Sequence, residues 1–268
     1  MQKVILITGG SQGIGKETAK LLISKGHKVY AAARSIDKIN ELSELGGFPI
    51  QMDISNEEDI KKVVDTIIQK ENKIDVLFNN AGLTLNGAIE DIGIEEARYH
   101  FQVNLFGLAS LTQKVIPYMR KAKSGMIINT TSVGGKMYSP LGAWYHASKH
   151  ALEGWSDCLR LELKQFNIKV VILEPGAIES EFGDELESQL TRNSEKSAYS
   201  AMAQSLIKSG GSLKRSPRSV IAKAVDEIIN NSSPKTRYAV GNLAKPLIWM
   251  RVYLGDRLFD KLVMSQIK

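Results

Sequence analysis

The sequence predicts an α/β protein built around a doubly wound parallel sheet. Short, almost continuously apolar runs alternate with longer segments of helical periodicity through the first 176 residues. Strands covered by helices on both faces need such apolar runs, and strands that alternate with helices favour parallel pairing. The chain has 268 residues, 43% hydrophobic and 24% charged, which suffices for a folded domain with its own core. We therefore expect a single domain over residues 1–268.

Six strands and five helices are predicted in this first part of the chain. Asn56, followed by Asp59, indicates the N-cap of the third helix, because an asparagine side chain accepts hydrogen bonds from backbone amides of the first turn. The strands are predicted at residues 3–7, 28–32, 50–52, 76–78, 125–129 and 169–173. The helices between them are predicted at residues 15–25, 35–44, 56–71, 95–121 and 145–166.

The alternation ends after Pro175, where the sequence predicts an insertion. Residues 177–217 are polar but carry Phe182, Leu186 and Leu190 at a spacing of four, which predicts an amphipathic helix followed by an irregular polar stretch. Such an insertion beside an α/β core is either a lid over a substrate or a solvated surface excursion. The core is then completed by a helix at 219–230 and a strand at 237–240.

A glycine-rich turn, TGGSQGIG at residues 8–15, joins the first strand to the first helix. Glycines allow a tight turn and let a phosphate approach the backbone amides at the helix N-terminus. The spacing G-x-x-x-G-x-G differs from the general G-x-G-x-x-G dinucleotide pattern, and a glycine turn without a ligand is the alternative. The candidates for binding a pyrophosphate are Gly9, Ser11, Gly13, Ile14 and Gly15.

The end of the second strand indicates which dinucleotide binds. In such folds an acidic residue there bonds the 2′-hydroxyl of NAD, whereas an arginine accommodates the 2′-phosphate of NADP. The strand runs into Ala33-Arg34-Ser35 without an acidic residue. The sequence therefore favours NADP(H) over NAD(H), without excluding NAD(H), and Arg34 is expected at the phosphate. The alternative is that Arg34 is a solvated residue at the start of a helix.

A tyrosine and a lysine four residues apart lie near the start of the last long helix. At this spacing Tyr145 and Lys149 share one helix face. A phenol, with a pKa of about 10, exchanges protons at neutral pH only if a nearby cation stabilises its phenolate, which Lys149 can supply. Ser132 follows the fifth strand at the carboxyl edge of the sheet, where such folds bind ligands. The pair alone is a weak signal because both residues are common on surfaces.

These motifs, in this order, resemble those of the short-chain dehydrogenase/reductase family. The resemblance covers about residues 3–180 and includes the glycine turn, Asn79-Asn80-Ala81-Gly82, Asn104, Ser132, Tyr145 with Lys149, and Pro175-Gly176. It implies a Rossmann-type sheet of about seven parallel strands and NAD(P)-dependent conversion between an alcohol and a carbonyl compound.

The resemblance also implies roles for individual residues. Tyr145 is expected to be the general acid/base and Ser132 to hydrogen-bond the substrate oxygen. Lys149 is expected to bind the nicotinamide ribose and lower the pKa of Tyr145, and Asn104 to hold a water that links Lys149 to solvent. The other expected cofactor contacts are Asp53 at the adenine, Asn80 and Ala81 at the adenosine ribose, and Pro175, Gly176, Ile178 and Ser180 at the nicotinamide carboxamide and the phosphates.

The net charge of +6 is confined to the C-terminal part of the chain. Residues 1–206 carry 23 Lys and Arg against 25 Asp and Glu, whereas residues 207–268 carry 12 against 4. In the extension 243–268 basic residues alternate with apolar and aromatic ones. Such a segment either lies on an anionic membrane surface or packs on the core or on a subunit partner. Nucleic acid is not an expected partner, because no recognition motif is present.

The combined prediction is an NADP(H)-preferring enzyme that interconverts a hydroxyl and a carbonyl group on an apolar small molecule. The Arg34 cofactor site, Gly134-Gly135 and the basic extension resemble the branch of hydroxysteroid, retinol and acyl-dihydroxyacetone-phosphate reductases. The alternatives are a membrane-associated lipid or steroid ketone reductase and a catalytically silent dinucleotide sensor. No metal site is expected, because His100 and His146 lack the spacing of metal ligands and are assigned to packing.

Location and assembly are also predicted from simple features. The single cysteine, Cys158, fits a reducing compartment, and the apolar run after Lys3 is too short for a signal peptide. We therefore expect a cytoplasmic protein, with contact to a membrane limited to its surface. The predicted helices 95–121 and 145–166 resemble those through which family members dimerise, so a homo-oligomer is expected.

Overall fold

A seven-stranded, all-parallel sheet forms the centre of the computed structural model, which describes residues 1–267. The order across the sheet is β3-β2-β1-β4-β5-β6-β7, and every neighbouring pair is parallel. The predicted doubly wound fold is therefore confirmed. The strands are β1 (Val4–Thr8), β2 (Lys28–Ala33), β3 (Phe48–Gln51), β4 (Val76–Asn79), β5 (Gly125–Thr130), β6 (Ile168–Pro175) and β7 (Arg237–Val240).

Helices cover both faces of the sheet. Alternate residues of β1 belong to different cores: Val4 and Leu6 pack with α3, α5 and α6, whereas Ile5 and Ile7 pack with α1 and α9. The helices are α1 (Gly13–Ser24), α2 (Glu41–Glu44), α3 (Glu57–Glu71), α4 (Ile94–Phe101), α5 (Leu108–Ala122), α6 (Ala143–Leu163), α7 (Glu181–Ser194), α8 (Ser200–Gly211), α9 (Ser219–Asn230), α10 (Ala244–Tyr253) and α11 (Asp256–Ser265).

The strand order places a crevice at the centre of the carboxyl edge. β1 has β2 on one side and β4 on the other, so the connections that follow β1 and β4 leave in opposite directions. Open α/β sheets bind ligands where the strand order reverses in this way. The glycine turn after β1 and the Asn79-Asn80-Ala81-Gly82 segment at the end of β4 therefore face each other across the crevice.

Two predicted helices differ from the structure. The helix at 35–44 is a 3-10 turn, Ile36–Lys38, followed by the four-residue α2, because only Ile39 and Leu42 are buried there and a single turn covers the sheet edge. The helix at 95–121 is interrupted by a π-helical turn at Gln102–Gly107. A Cβ atom on Gly107 would collide with the carbonyl oxygen of Ile54, so the widened turn lies where α5 approaches the end of β3.

The third helix has the predicted N-cap. Asn56 accepts hydrogen bonds through Oδ1 from the backbone amides of Glu58, at 2.8 Å, and Asp59, at 3.1 Å. Three acidic residues in the first turn, Glu57, Glu58 and Asp59, add a favourable interaction with the helix dipole. Asn56 thus fixes the start of α3 where the sequence predicts it.

The insertion after Pro175 contains two helices where one was predicted. α7 carries Leu186 and Leu190 as predicted, and α8 occupies part of the stretch that was expected to be irregular. Apolar side chains of α8, among them Ala203 and Leu206, pack against those of α7. Their spacing is helical, but the Ser and Gly content of this stretch obscured it.

The C-terminal extension forms the helical pair α10 and α11. Its best-buried aromatic side chain is Phe259, which is 1% exposed and packs edge-on against Tyr138 with the ring centroids 5.3 Å apart. The last residue of the predicted extension, Lys268, lies outside the described residues. Among residues 1–267 no helix combines the length and the hydropathy needed to cross a bilayer.

Candidate active site

A cavity of about 440 Å³ follows the carboxyl edge of the sheet. The glycine turn and the ends of β2 and β3 form one end, and Ser132, Tyr145 and Lys149 form the other. Of the predicted site residues, two do not line it: Gly15 and Asn104. Those that line it are Gly9, Ser11, Gly13, Ile14, Arg34, Asp53, Asn80, Ala81, Ser132, Tyr145, Lys149, Pro175, Gly176, Ile178 and Ser180.

The glycine turn is packed too tightly for side chains. Gly9 has a φ of 69°, and a Cβ atom on it would lie 2.9 Å from Cα of Ala81. A Cβ atom on Gly15 would collide with the carbonyl oxygen of Gly9. Gly15 therefore lies behind the wall and brings α1 close to the turn, rather than contacting a ligand as predicted. The resulting cradle exposes the N-terminus of α1, which fits a pyrophosphate.

Thr8 connects the two sides of the crevice. Its Oγ1 accepts hydrogen bonds from the backbone amides of Asn80, at 3.0 Å, and Ala81, at 2.9 Å. Nδ2 of Asn80 donates back to the carbonyl oxygen of Thr8 at 3.1 Å. These bonds hold Asn80 and Ala81 beside the glycine turn, in the position predicted for contact with the adenosine ribose.

The end of the cavity formed by the glycine turn, β2 and β3 contains Arg34, predicted to bind the 2′-phosphate, and Asp53, predicted to contact the adenine. Arg34 is exposed, and its Nη1 lies 3.5 Å from the hydroxyl of Tyr99. No carboxylate among residues 1–267 forms an ion pair with Arg34, so its charge is available to an anion. Asp53 uses Oδ1 to accept bonds from the amide and hydroxyl of Ser55, at 2.8 and 2.7 Å.

Three polar side chains meet at the other end. The hydroxyl groups of Ser132 and Tyr145 form a hydrogen bond, and Oγ of Ser132 also accepts one from the Gly134 amide at 3.0 Å. Nζ of Lys149 donates to the carbonyl oxygen of Thr130 at 2.9 Å. Ser132 and Tyr145 thus lie together, one turn of α6 before Lys149, while the predicted contact of Ser132 with a substrate oxygen stays a prediction.

Burial favours the neutral form of both titratable groups at this end. It raises the pKa of Tyr145 to about 12, although the bond with Ser132 acts in the opposite direction. It also lowers the pKa of Lys149 to about 8, against the attraction of Glu153. Loss of hydration determines the net shift of Tyr145, and the expected lowering of its pKa by Lys149 stays a prediction. Tyr145 therefore carries its proton at neutral pH.

Asn104 shapes the loop after β4 rather than the cavity wall. Its Oδ1 accepts from the amide of Leu83 at 2.7 Å, and its Nδ2 donates to the carbonyl oxygen of the same residue at 2.9 Å. A Cβ atom on Gly82 would lie 3.4 Å from this Oδ1 and 3.7 Å from Nζ of Lys149. Asn104 and Lys149 thus approach Gly82 together, although Asn104 is one layer behind the surface.

His100 belongs to the same layer, which the sequence analysis missed. It is 2% exposed, and its Nε2 lies 3.0 Å from Nδ2 of Asn104 and 3.1 Å from Oγ of Ser148. Ser148 in turn donates to the carbonyl oxygen of Tyr145 at 2.8 Å. Burial, reinforced by the charge of Lys149, lowers the pKa of His100 to about 4. The four-residue spacing of His100 and Asn104 is the signal that could have revealed this contact.

His146 holds the loop that carries Ser132. Its Nδ1 donates to the carbonyl oxygen of Gly134 at 2.9 Å, and its Nε2 accepts from the amide of Ser139 at 3.1 Å. Burial lowers the pKa of His146, which keeps Nε2 available as an acceptor. His146 therefore packs inside the structure, as predicted, and joins Gly134 to Ser139 through hydrogen bonds.

A buried charged cluster, also missed from the sequence, lies behind the catalytic end. Glu153 accepts from Oγ1 of Thr131 at 2.6 Å and from Arg237 at 3.1 Å, and pairs with Lys136 at 2.7 Å. Burial, with repulsion from Glu153, raises the pKa of Glu174 to about 7. The cluster fixes Thr131, the neighbour of Ser132, from below. Glu153 and Arg237 are 84 residues apart, so no local pattern reveals their contact.

The insertion contacts the catalytic end directly. Phe182 and Leu186 of α7 line the cavity, and the ring of Phe182 lies 5.5 Å from that of Tyr145. Leu83 lines the cavity as well. Of the two interpretations of the insertion, these contacts favour a lid.

A carboxylate of the lid lies beside the glycine turn. Oε1 of Glu181 pairs with Arg218 at 3.0 Å, whereas its Oε2 is buried and has no hydrogen-bond partner within residues 1–267. A Cβ atom on Gly13 would lie 3.4 Å from this Oε2. A negative group therefore approaches the N-terminus of α1, where a phosphate is expected to bind.

Comparison with known proteins gives consistent matches. The model of the short chain dehydrogenase family matches residues 3–191. A 3-ketodihydrosphingosine reductase of Bacteroides thetaiotaomicron is 37% identical over 255 residues, which cover 91% of this chain and 90% of that protein.

Solved structures match over most of the chain. A short-chain dehydrogenase from Streptomyces avermitilis has a TM-score of 0.81 and 26% identity, covering 99% of this chain and 97% of that one. A variant of actinorhodin polyketide ketoreductase with NADPH has a TM-score of 0.77 and 27% identity, covering 88% and 94%. A 3-ketoacyl-(acyl-carrier-protein) reductase from Brucella melitensis with NADH has a TM-score of 0.75 and 26% identity, covering 88% and 94%.

Proposed function

Since this chain belongs to the short-chain dehydrogenase/reductase family of NAD(P)-dependent oxidoreductases, we propose that it is an NADP(H)-preferring reductase that converts a carbonyl group of an apolar small molecule into a hydroxyl group. The observation that carries the proposal is the grouping of Ser132, Tyr145 and Lys149 at one end of a cavity whose other end is the glycine turn. The raised pKa of Tyr145 agrees with a role as proton donor. A group that holds its proton at neutral pH is suited to donate it to a developing alkoxide.

The cavity fits a nicotinamide dinucleotide, the class of cofactor present in the matching structures with NADPH and NADH. The side-chain-free turn at Gly9 and Gly13 would hold the pyrophosphate, and Pro175 to Ser180 the nicotinamide end. When bound there, the reduced nicotinamide supplies a hydride to the carbonyl carbon. The unpaired charge of Arg34 supports a preference for the 2′-phosphate of NADP(H).

The chain's own residues complete the reduction. Ser132 donates a hydrogen bond that positions the carbonyl oxygen, and Tyr145 transfers its proton to that oxygen as negative charge develops. Lys149, one helical turn away, is still mostly protonated at neutral pH with a pKa of about 8, and stabilises the phenolate that remains. The positive charge of Lys149 therefore stabilises Tyr145 after the phenol has given up its proton.

An apolar substrate is supported by the walls near Tyr145. The ring of Phe182 lies 5.5 Å from that of Tyr145, and Leu83 and Leu186 line the same cavity. The relative named 3-ketodihydrosphingosine reductase, whose name denotes a keto lipid, agrees with such a wall.

A homo-oligomer is proposed as well, because apolar side chains are exposed along the long helices. Leu161 is exposed on α6, and Phe106 is exposed in the π-helical turn just before α5.

A dinucleotide sensor without turnover is the second candidate function. The intact set of Ser132, Tyr145 and Lys149 argues against it, since a sensor needs the cradle but no proton donor. A panel of aliphatic ketones and β-ketoesters of increasing chain length distinguishes the two. Oxidation of NADPH that depends on one of these compounds supports the reductase, and tight NADPH binding without any turnover supports the sensor.

Tyr145→Phe tests the mechanism itself. We expect turnover to fall at least about 100-fold, because general acid catalysis is lost, while the dissociation constant of NADPH changes little. Turnover is measured from NADPH absorbance and binding from NADPH fluorescence. Tyr99→Phe, at the opposite end of the cavity, is the control and should keep its turnover. Undiminished turnover in Tyr145→Phe would remove Tyr145 from the reaction.

A further inference from the structure

We propose that α10 and α11 form a docking surface for anionic lipid bilayers. This C-terminal surface consists of the apolar residues Trp249, Val252, Tyr253, Leu258, Leu262 and Met264 together with the basic residues Lys245, Arg257 and Lys261. Docking as such is independent of the reaction. That the bilayer also delivers the apolar substrate rests on the proposed function.

Apart from Met264, the apolar residues of the C-terminal surface are exposed on one stripe of each helix. Trp249 is 56% exposed and Tyr253 is 70% exposed, and with Val252 they follow the i, i+3, i+4 spacing of a helix face. Leu258 and Leu262 repeat the four-residue spacing on α11. Aromatic rings together with aliphatic side chains are what interfacial helices insert at the boundary between headgroups and acyl chains.

The opposite faces of the two helices are already attached to the protein. Phe259 packs against Tyr138, and the guanidinium of Arg251 lies 5.0 Å from the centre of the Tyr138 ring. Tyr138 also donates its hydroxyl to Asp260 at 2.8 Å. Packing on the core therefore accounts for the inner faces and leaves the outer stripes without a partner among residues 1–267.

The charges on the C-terminal surface favour an anionic partner. Lys245, Arg257 and Lys261 are exposed and form no ion pair within residues 1–267, whereas the neighbouring acids are occupied. Asp256 pairs with Arg251 at 3.0 Å, and Asp260 accepts from Tyr138. A second copy of this chain would bring the same positive charge to the contact, which is unfavourable, whereas anionic headgroups complement it.

The C-terminal surface adjoins both segments that border the apolar end of the cavity. Tyr138, which holds α11, lies on the loop that begins at Ser132. Ser209 of α8 donates to the backbone carbonyl of Gln266 at 2.6 Å, which connects the lid to the end of α11. A bilayer in contact with α10 and α11 would therefore lie next to the lid and the catalytic loop.

Vesicle sedimentation of the full chain tests the docking. We expect it to sediment with phosphatidylglycerol-containing vesicles at low ionic strength, and much less at high ionic strength or with phosphatidylcholine alone. Trp249→Ser combined with Tyr253→Ser should lower the partition coefficient about tenfold or more, because two aromatic side chains that would insert into the bilayer are lost. Leu45→Ser is the matched control, since Leu45 is 52% exposed at the opposite, β3 edge of the sheet.

Two further variants separate docking from misfolding. Lys245→Gln, Arg257→Gln and Lys261→Gln together should abolish sedimentation at low ionic strength while leaving the circular dichroism spectrum unchanged. Trp249→Phe should retain sedimentation and lose the vesicle-dependent change in tryptophan fluorescence. NADPH oxidation with a water-soluble ketone should be the same in all these variants, since none of them changes a residue of the cavity.

Three outcomes overturn the docking proposal. They are a wild-type chain that stays in the supernatant, aromatic variants that bind vesicles like the wild type, and aromatic variants that change only the oligomeric state in light scattering. The last would identify the C-terminal surface as a contact between subunits. Sedimentation without turnover of any ketone would instead support docking and contradict only the proposed function.

Discussion

At the scale of single residues, burial rather than charge pairing determines the protonation states of the catalytic end. Tyr145 and Lys149 lie one helical turn apart, and loss of hydration moves their pKa values in opposite directions, to about 12 and about 8. Both shifts favour the neutral side chain. For the proposed reaction we therefore expect carbonyl reduction at neutral pH and alcohol oxidation only at higher pH.

Arg34 carries the prediction for cofactor preference. Arg34→Asp should raise the Michaelis constant for NADPH about tenfold or more and change that for NADH much less. A lost charge-assisted hydrogen bond to a phosphate is worth roughly 1.5–3 kcal/mol, and the new carboxylate repels the phosphate as well. Steady-state kinetics with both cofactors measures the effect.

The control for Arg34 is Arg98→Asp on α4, where the arginine pairs with Glu95 outside the cavity. It should leave both constants close to those of the wild type. Equal increases for NADPH and NADH in Arg34→Asp would leave Arg34 without a role in selecting the phosphate.

At the scale of elements, the start of α7 influences the cofactor cradle at the start of α1. The two helices meet where Glu181 approaches Gly13, so the lid brings a negative charge to a helix N-terminus that suits an anion. An incoming pyrophosphate must displace this carboxylate or face its repulsion. The position of the Glu181 side chain is therefore expected to affect cofactor binding.

Glu181→Gln should strengthen cofactor binding. We expect the dissociation constant of NADPH, measured by titration calorimetry, to fall several-fold, because a like charge near the phosphates is removed. Glu187→Gln, an exposed acid farther along α7, should bind NADPH like the wild type. Weaker binding in Glu181→Gln would mean that the carboxylate supports the cradle through Arg218.

The elements differ in how far the sequence predicted them. The strands were predicted well because each is buried on both faces and reads as an apolar run. The π-helical turn at Gln102–Gly107 was not predicted, since it depends on how Gly107 packs against Ile54. α8 was missed because the apolar face that defines it is completed only by side chains of α7.

At the scale of the whole molecule, the site combines predictable and unpredictable parts. Tyr145 and Lys149 share a helix face, so their local spacing revealed them. Glu153 and Arg237 meet only because α6 packs beside β6 and β7, and no local pattern contains that information. Gly15 and Asn104 were correctly located near the site but serve it from behind the wall.

Acid should destabilise the fold through His100. Its pKa is lowered from about 6.5 when unfolded to about 4 when folded, so the unfolded chain takes up the proton first as the pH falls. The contribution of neutral His100 to the free energy of unfolding is complete above pH 6.5, and roughly 3 kcal/mol of it is lost as the pH falls to 4. Urea unfolding across this range should show a smaller loss for His100→Gln than for the wild type.

The difference in acid sensitivity between the wild type and His100→Gln reports on His100 alone. Glu174, whose pKa is raised to about 7, acts in the opposite direction but is present in both and cancels. His150→Gln, which changes an exposed histidine, should follow the wild type. Parallel stability curves for wild type and His100→Gln would assign the acid sensitivity to another group.

The position of β1 between β2 and β4 also fixes when the cofactor cradle can form during synthesis. Thr8 needs the backbone amide of Asn80, which follows it by 72 residues. At about 5–20 residues per second, the ribosome takes roughly 4–14 s to supply that partner. Until then the glycine turn has no opposite wall. A dinucleotide therefore cannot bind to the nascent β1-α1-β2 unit and assist its folding. The cradle is therefore complete only after β4 has been synthesised and paired with β1.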